Sequence, residues 1–240
     1  MSFNINFLKK NKYSFFENIG KYTAHLDNVY KLIDEIWENP TPMITRATKD
    51  GYTIYEGPSL SNILYVPEFK DEHIDSVKEF MVCSGAKENI ENLWNSNIGI
   101  CNIRAYRFTN KPPREKSHYL DSLDKNQNIQ PHFDTLLPDT LKIMIFKSRD
   151  GDFLTLGHGV IEVKPKEKWI PATGKSPVAI IFPPNIVLHR AFSPSEGKIR
   201  DCIELTVIKR TRDDFLVESS GAHAGYPLDM VLWNNKTINN

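Results

Sequence analysis

From Gly99 onward the chain breaks into short apolar segments separated by turn residues, and that rhythm constrains the fold more than any other feature. Residues 100–108, 141–147, 153–156, 159–164, 177–182, 186–190 and 201–209 are β-rich runs bounded by Gly, Pro, Asn, Asp or Ser. Segments of strand length at this spacing are expected to close an all-β sandwich or barrel rather than a helical bundle. The preceding third has a different period. Residues 23–38 carry Leu26, Val29, Tyr30, Ile33, Ile36 and Trp37 at helical spacing, with Pro40 and Pro42 as a stop. Short β segments are expected at 52–55 and 63–66, and residues 70–94 return to helix with a break near Gly85. The expected organisation is one domain over 1–240: a mixed α/β flank at 1–98, a β core at 99–212 and a C-terminal extension at 213–240.

Composition narrows the function classes. Thirty basic and thirty acidic residues cancel, so no overall charge recruits nucleic acid or an anionic membrane surface. No stretch reaches the ~20 apolar residues that span a bilayer, and Lys9, Lys10 and Lys12 follow the short apolar segment at the N-terminus instead of preceding it as in a signal peptide. A soluble cytoplasmic protein is expected. Cys83, Cys101 and Cys202 are widely spaced and form no Cys-X-X-Cys pair, so neither a disulfide framework nor a structural zinc site is indicated. Phosphate-cradling glycine loops and nucleophile elbows are absent.

His132 and Asp134 stand two apart, so on extended chain both project to one face while Phe133 points away. Pro131 has no N–H to give to a ladder and suits a strand edge. His189 ends an apolar run that follows a turn at Pro183, Pro184 and Asn185. Two imidazoles and one carboxylate can hold one face of an octahedral ferrous ion and leave the other positions open. Taken singly, each of these residues is as readily a surface or core side chain. Arg200 follows beyond Ser193–Gly197, read as a reversal that sets the His189 and Arg200 strands side by side. Arg200, Cys202, Glu204 and Thr206 then share one face. On strand 100–108, Asn102, Arg104 and Tyr106 share a face that is either ligand-lining or solvent-facing. Arg190 alternates away from His189, and His158 lies at a Gly-flanked turn. Residues 109–131 are long, aperiodic and run directly into His132, as a lid over a site would.

The pattern His132-X-Asp134, His189, Arg200 resembles that of the iron(II)- and 2-oxoglutarate-dependent dioxygenases. The likeness covers roughly Gly99 to Arg212 and extends to Glu167-Lys168-Trp169-Ile170-Pro171 and Lys175-Ser176-Pro177. It implies an α+β, mainly β fold: a double-stranded β-helix (jelly-roll) core flanked by N-terminal helices. It also implies Fe(II) held by His132, Asp134 and His189, with 2-oxoglutarate as co-substrate, O₂ as oxidant and succinate and CO₂ as products. Arg200 would grip the far carboxylate of 2-oxoglutarate bidentately. Asn102, Arg104, Tyr106 and Cys202 are further candidates for the co-substrate site; the family often has Ser where Cys202 stands. The presence of Asp134 argues against halogenation, and hydroxylation of a small molecule is the expected outcome. The competing reading is a double-stranded β-helix scaffold that binds without turnover. A cupin-type enzyme ranks lower, because its His-X-His with further Glu and His is not supplied.

Overall fold

The computed structural model describes residues 3–38, 44–47, 53–56, 59–60, 63–65, 69–109, 129–134, 139–150, 153–154, 161–192, 194–195, 198–209 and 227–231. In chain order the elements are α1 (Ile5–Asn11), β1 (Ser14–Phe15), α2 (Asp27–Glu38), β2 (Ile44–Ala47), β3 (Thr53–Glu56), β4 (Ser59–Leu60), β5 (Ile63–Tyr65), α3 (Asp71–Cys83), α4 (Ala86–Trp94), β6 (Ile98–Thr109), β7 (Ile129–His132), β8 (Thr140–Ser148), β9 (Phe153–Leu154), β10 (Ile161–Lys164), β11 (Ile170–Pro171), β12 (Gly174–Lys175), β13 (Val178–Phe182), β14 (Leu188–Ala191), β15 (Ile199–Lys209) and β16 (Pro227–Val231).

Two antiparallel sheets face each other. The larger runs β1-β13-β8-β15-β6-β5-β4, with β16 also on β6, and the smaller runs β11-β10-β14-β7. From β6 to β15 the chain passes repeatedly between the sheets: β6, β8, β13 and β15 lie in the larger, β7, β10 and β14 in the smaller. This winding is a double-stranded β-helix, a mainly β architecture with helices on one side.

Strand alternation sorts the large sheet into two buried faces. The register Arg200↔Phe108, Cys202↔Tyr106, Glu204↔Arg104 and Thr206↔Asn102 aligns one face of β15 with β6, and Cys202↔Phe146 and Glu204↔Met144 continue it onto β8. This face meets Ile161, Val163, Val187 and Ala191 from the small sheet's side of the barrel. The opposite face, with Ile103, Ala105, Ile143, Ile145, Ile203 and Leu205, packs against Val29, Tyr30 and Ile33 of α2 and Val77, Phe80 and Met81 of α3. β15 is therefore buried on both sides, its polar Arg200, Asp201, Glu204 and Thr206 included.

An ion network pins α2 to the outer face. Asp201, fully buried, accepts from Arg107 Nε at 2.7 Å and from Arg149 Nε. Asp34 of α2 accepts from Arg107 Nη2 at 2.6 Å and Arg149 Nη2 at 2.8 Å. Trp37 covers Arg107, 5.1 Å from its ring centre to the guanidinium carbon. A helix expected from apolar periodicity alone is thus also held by charge.

One expectation is overturned, and the described residues add detail to others. The His189 and Arg200 strands do not lie side by side: β14 pairs with β10 and β7, whereas β15 pairs with β6 and β8. The long β15, buried on both faces, needs long neighbours, and the short strands of the small sheet cannot cover it. Part of the region read as a C-terminal extension, 213–240, joins the large sheet as β16, and the flank joins it through β5. α1 was not anticipated; it is seven residues long, capped by Asn4 Oδ1 accepting from the Phe7 N–H at 2.9 Å. The helix expected at 23–38 begins as a 3₁₀ turn at Thr23–Leu26. The break near Gly85 is present, with φ of 72° between α3 and α4. Most of the segment read as a lid, residues 110–128, and His118, Gly151, His158 and His223 lie outside the described residues. Among the described residues, no helix is long and apolar enough to cross a membrane.

Asp201→Ala leaves the buried Arg107 guanidinium with a partly exposed partner only. Urea unfolding is expected to show a loss of about 3–5 kcal/mol, the typical cost of breaking a buried ion pair from one side; a loss below 1 kcal/mol would remove the network from this role.

Candidate metal centre

His132 ends β7 and sits directly opposite His189 of β14 in the ladder. Their rings lie 4.3 Å apart between centres. Asp134 follows two residues on, and its N–H donates to the Pro184 carbonyl at 3.0 Å, which ties the end of β7 to the turn that delivers His189. Asp134 Oδ1 is 3.4 Å from His132 Nε2 and 3.3 Å from His189 Nε2. One oxygen and two ring nitrogens from separate strand ends therefore converge on one point, within the reach of a single ion.

The tautomer of His189 follows from its neighbour. Nδ1 lies 3.1 Å from the Val187 carbonyl, which can only accept, so Nδ1 carries the proton and Nε2 presents a lone pair. That Nε2 is buried and has no hydrogen-bond partner among the described residues. A bare nitrogen facing a carboxylate oxygen is an unfavourable pair of acceptors unless a cation lies between them. The donor set N, N, O with one imidazole oriented by a carbonyl thus fits a first-row divalent metal. Phe182 packs on the His189 ring at 5.2 Å between centres and fixes its plane.

A second group, His25, Glu79 and Cys83, also brings ligand-type atoms together. It lies at the surface, with Glu79 and Cys83 exposed to water, and His25 Nδ1 already pairs with Glu79 Oε1 at 3.4 Å.

Charge is arranged around the buried centre. Lys142 Nζ lies 2.5 Å from Asp134 Oδ2 and 3.2 Å from Glu204 Oε1, and Arg104 Nη1 lies 3.6 Å from the same Glu204 oxygen. Burial on its own would raise the Asp134 pKa, but the His132 ring and the Lys142 ammonium hold it well below the usual carboxylate range. Glu204 behaves alike: burial acts upward, and the charges of Lys142 and Arg104 bring the pKa down.

Arg200 projects into the barrel and is 1% exposed. Among the described residues its Nε and Nη1 are buried without a hydrogen-bond partner, and its guanidinium carbon lies 4.7 Å from the Phe108 ring centre and 5.1 Å from that of Phe146. Burial lowers its pKa. Tyr106 and Cys202 lie beside it on the same face, in hydrogen-bond contact with each other. Burial pushes the Cys202 thiol up to about 12, so it stays protonated. The face carrying Asn102, Arg104 and Tyr106 lines the interior rather than solvent, and Asn102 Oδ1 is buried without a partner among the described residues. Arg190 points outward to Glu162 at 2.7 Å and stacks on Trp169.

No protein-family model matches the sequence. Nor does any curated protein. Solved structures do. The non-heme alpha ketoglutarate dependent epimerase SnoN from nogalamycin biosynthesis superposes with a TM-score of 0.56 at 8% identity, over 96% of this chain and 92% of that one. Its complex with Fe3+, alpha ketoglutarate and nogalamycin RO gives 0.53 at 10% identity, over 95% and 93%. A prolyl hydroxylase from Trichoplax adhaerens, bound to a hypoxia inducible factor peptide fragment, gives 0.54 at 11% identity, over 85% and 87%. The fold is that of the 2-oxoglutarate and Fe(II) oxygenases.

Within this oxygenase fold, two residues near the centre escaped the sequence reading. Strand alternation puts Glu204 on the Arg200 face without giving it a role, and Lys142 belongs to no motif. The available signal was a lone lysine in Leu141-Lys142-Ile143-Met144-Ile145-Phe146, in phase with Met144 and Phe146 and hence directed into the barrel.

The depressed Glu204 pKa sets a pH dependence. A carboxyl whose folded pKa lies below its unfolded value of about 4.3 contributes stability that is full above that value and is lost as pH falls towards the folded pKa. Wild-type protein and Glu204→Gln are therefore expected to differ most in urea unfolding near neutral pH and to converge below about pH 4; a constant difference across that range would contradict the assignment.

Proposed function

We propose that this protein is an Fe(II)- and 2-oxoglutarate-dependent oxygenase that hydroxylates a small molecule in the cytoplasm. The observation that carries the proposal is the convergence of His132 Nε2, Asp134 Oδ1 and the unpartnered His189 Nε2 at one point inside an oxygenase fold. Among the similar structures, the SnoN complex holds Fe3+ and alpha ketoglutarate together, which supports the same pair of groups here. His132, Asp134 and His189 would hold the iron. Iron bound there supplies activation of O₂ coupled to decarboxylation of 2-oxoglutarate to succinate and CO₂.

The chain's own contribution is orientation and exclusion of water. The Val187 carbonyl keeps the proton on His189 Nδ1, so Nε2 presents its lone pair to the site. Arg200 offers a planar pair of donors with no carboxylate among the described residues to satisfy them, and a dianionic co-substrate would supply one. Phe108 and Phe146 flank that guanidinium and keep water from competing for it. The Tyr106 hydroxyl and the neutral Cys202 thiol border the same spot, while Asn102 and Arg104 lie further along the strand. The three free cysteines accord with a reducing compartment, and the balanced charge with a substrate that is not nucleic acid.

Anaerobic addition of Fe(II) and 2-oxoglutarate is expected to produce the visible charge-transfer band of the chelate, absent in His132→Ala and Asp134→Ala. No band from well-folded wild-type protein would favour a binding scaffold instead. Arg200→Ala removes a charge-assisted contact worth ~1.5–3 kcal/mol, so 2-oxoglutarate affinity should fall roughly ten- to hundredfold. Unchanged affinity in that titration would take Arg200 out of the co-substrate site.

A further inference from the structure

The ligand set leaves one oxygen of Asp134 to be explained. Oδ1 faces the two imidazoles, whereas Oδ2 lies against the buried Lys142 ammonium. Lys142 is itself held by Glu204, and Glu204 stands directly opposite Arg104 in the β15–β6 ladder. The signs alternate from Asp134 to Lys142 to Glu204 to Arg104. We propose that Lys142 is a positioning residue that occupies Oδ2 and so confines Asp134 to one-oxygen ligation through Oδ1. This inference rests on the reading of His132, Asp134 and His189 as a metal centre.

The physical case starts from what a carboxylate does when unconstrained. With both oxygens free it can bind a divalent ion through both and take two coordination positions. A centre that must admit a chelating co-substrate and O₂ beside three protein ligands has no position to spare. A lysine next to a dication is repulsive by itself. Glu204 offsets that repulsion, so the Lys142–Glu204 pair adds no net charge while supplying a donor at Oδ2.

The charge arrangement gives the test a sign. Manganese(II) binding to the full chain is measured by calorimetry, with metal-bound water counted by proton relaxation, in wild-type protein, Lys142→Met and the double variant Lys142→Met/Glu204→Gln. The double variant preserves net charge and leaves no orphaned buried carboxylate. Positioning predicts fewer bound waters in it, because Asp134 turns bidentate and takes a coordination position that water holds in the wild type. Lys142→Arg should restore the wild-type water count. In Lys142→Met alone, loss of a nearby cation by itself tightens binding without changing the number of bound waters, so a lower water count there supports positioning and an unchanged one opposes it. An unchanged water count in the double variant would overturn the proposal. A manganese-soaked crystal of the unaltered chain gives a reading that needs no variant: Asp134 bound through Oδ1 alone with Lys142 on Oδ2 supports it, and bidentate Asp134 overturns it. Manganese binding that survives unchanged in His132→Ala would instead sink the metal-centre reading on which the proposal rests.

Discussion

The period-two alternation of β15 is the constraint on which the rest of the molecule depends. Consecutive residues of this strand serve opposite tasks: Arg200 enters the barrel while Asp201 faces the helices, and the same parity puts Cys202 and Glu204 inward and Ile203 and Leu205 outward. A register slip of one residue would send the guanidinium into the helix interface and Asp201 into the barrel, exchanging every partner at once. Two long flanking strands, β6 and β8, hold that register along nearly the whole strand. The interior of the barrel and the attachment of the helices are thus fixed by one set of backbone hydrogen bonds.

Buried charge is treated differently on the two faces. Outside, Asp201, Arg107, Arg149 and Asp34 satisfy one another and serve attachment. Inside, Lys142, Glu204 and Arg104 form a chain of contacts that ends on Asp134. Arg200 stands apart from both, with aromatic faces for neighbours and buried N–H groups without acceptors among the described residues. A buried cation left in this state costs stability. Retaining it is understandable where an anion arrives from outside to complete the arrangement.

Much of the architecture was legible because its determinants are local. The break in pattern at Gly99, the apolar spacing of α2 and α3, and the same-face placement of His132 with Asp134 and of Arg200 with Cys202 and Glu204 all follow from periods of 3.6 and 2. What the sequence concealed are relations between distant segments. Nothing in residues 189–200 distinguishes a hairpin from a passage between sheets; that depends on β15 finding β6 and β8. Lys142 was hidden for a similar reason. A lysine in an apolar run reads as an interruption until the register brings it against Asp134 and Glu204.

β7 carries a further consequence. Among the described residues it is bonded on one side only, to β14, and with Pro131 it has one backbone donor fewer than its length allows. An edge strand so held opens more readily than the doubly bonded β15. His132 ends this strand and Asp134 lies just beyond it, so an ion joining them to His189 would act as a stitch along the free margin of the small sheet. Part of its binding energy would be spent on quieting local opening, and amide exchange at the margin would slow on metallation while the central strands changed little.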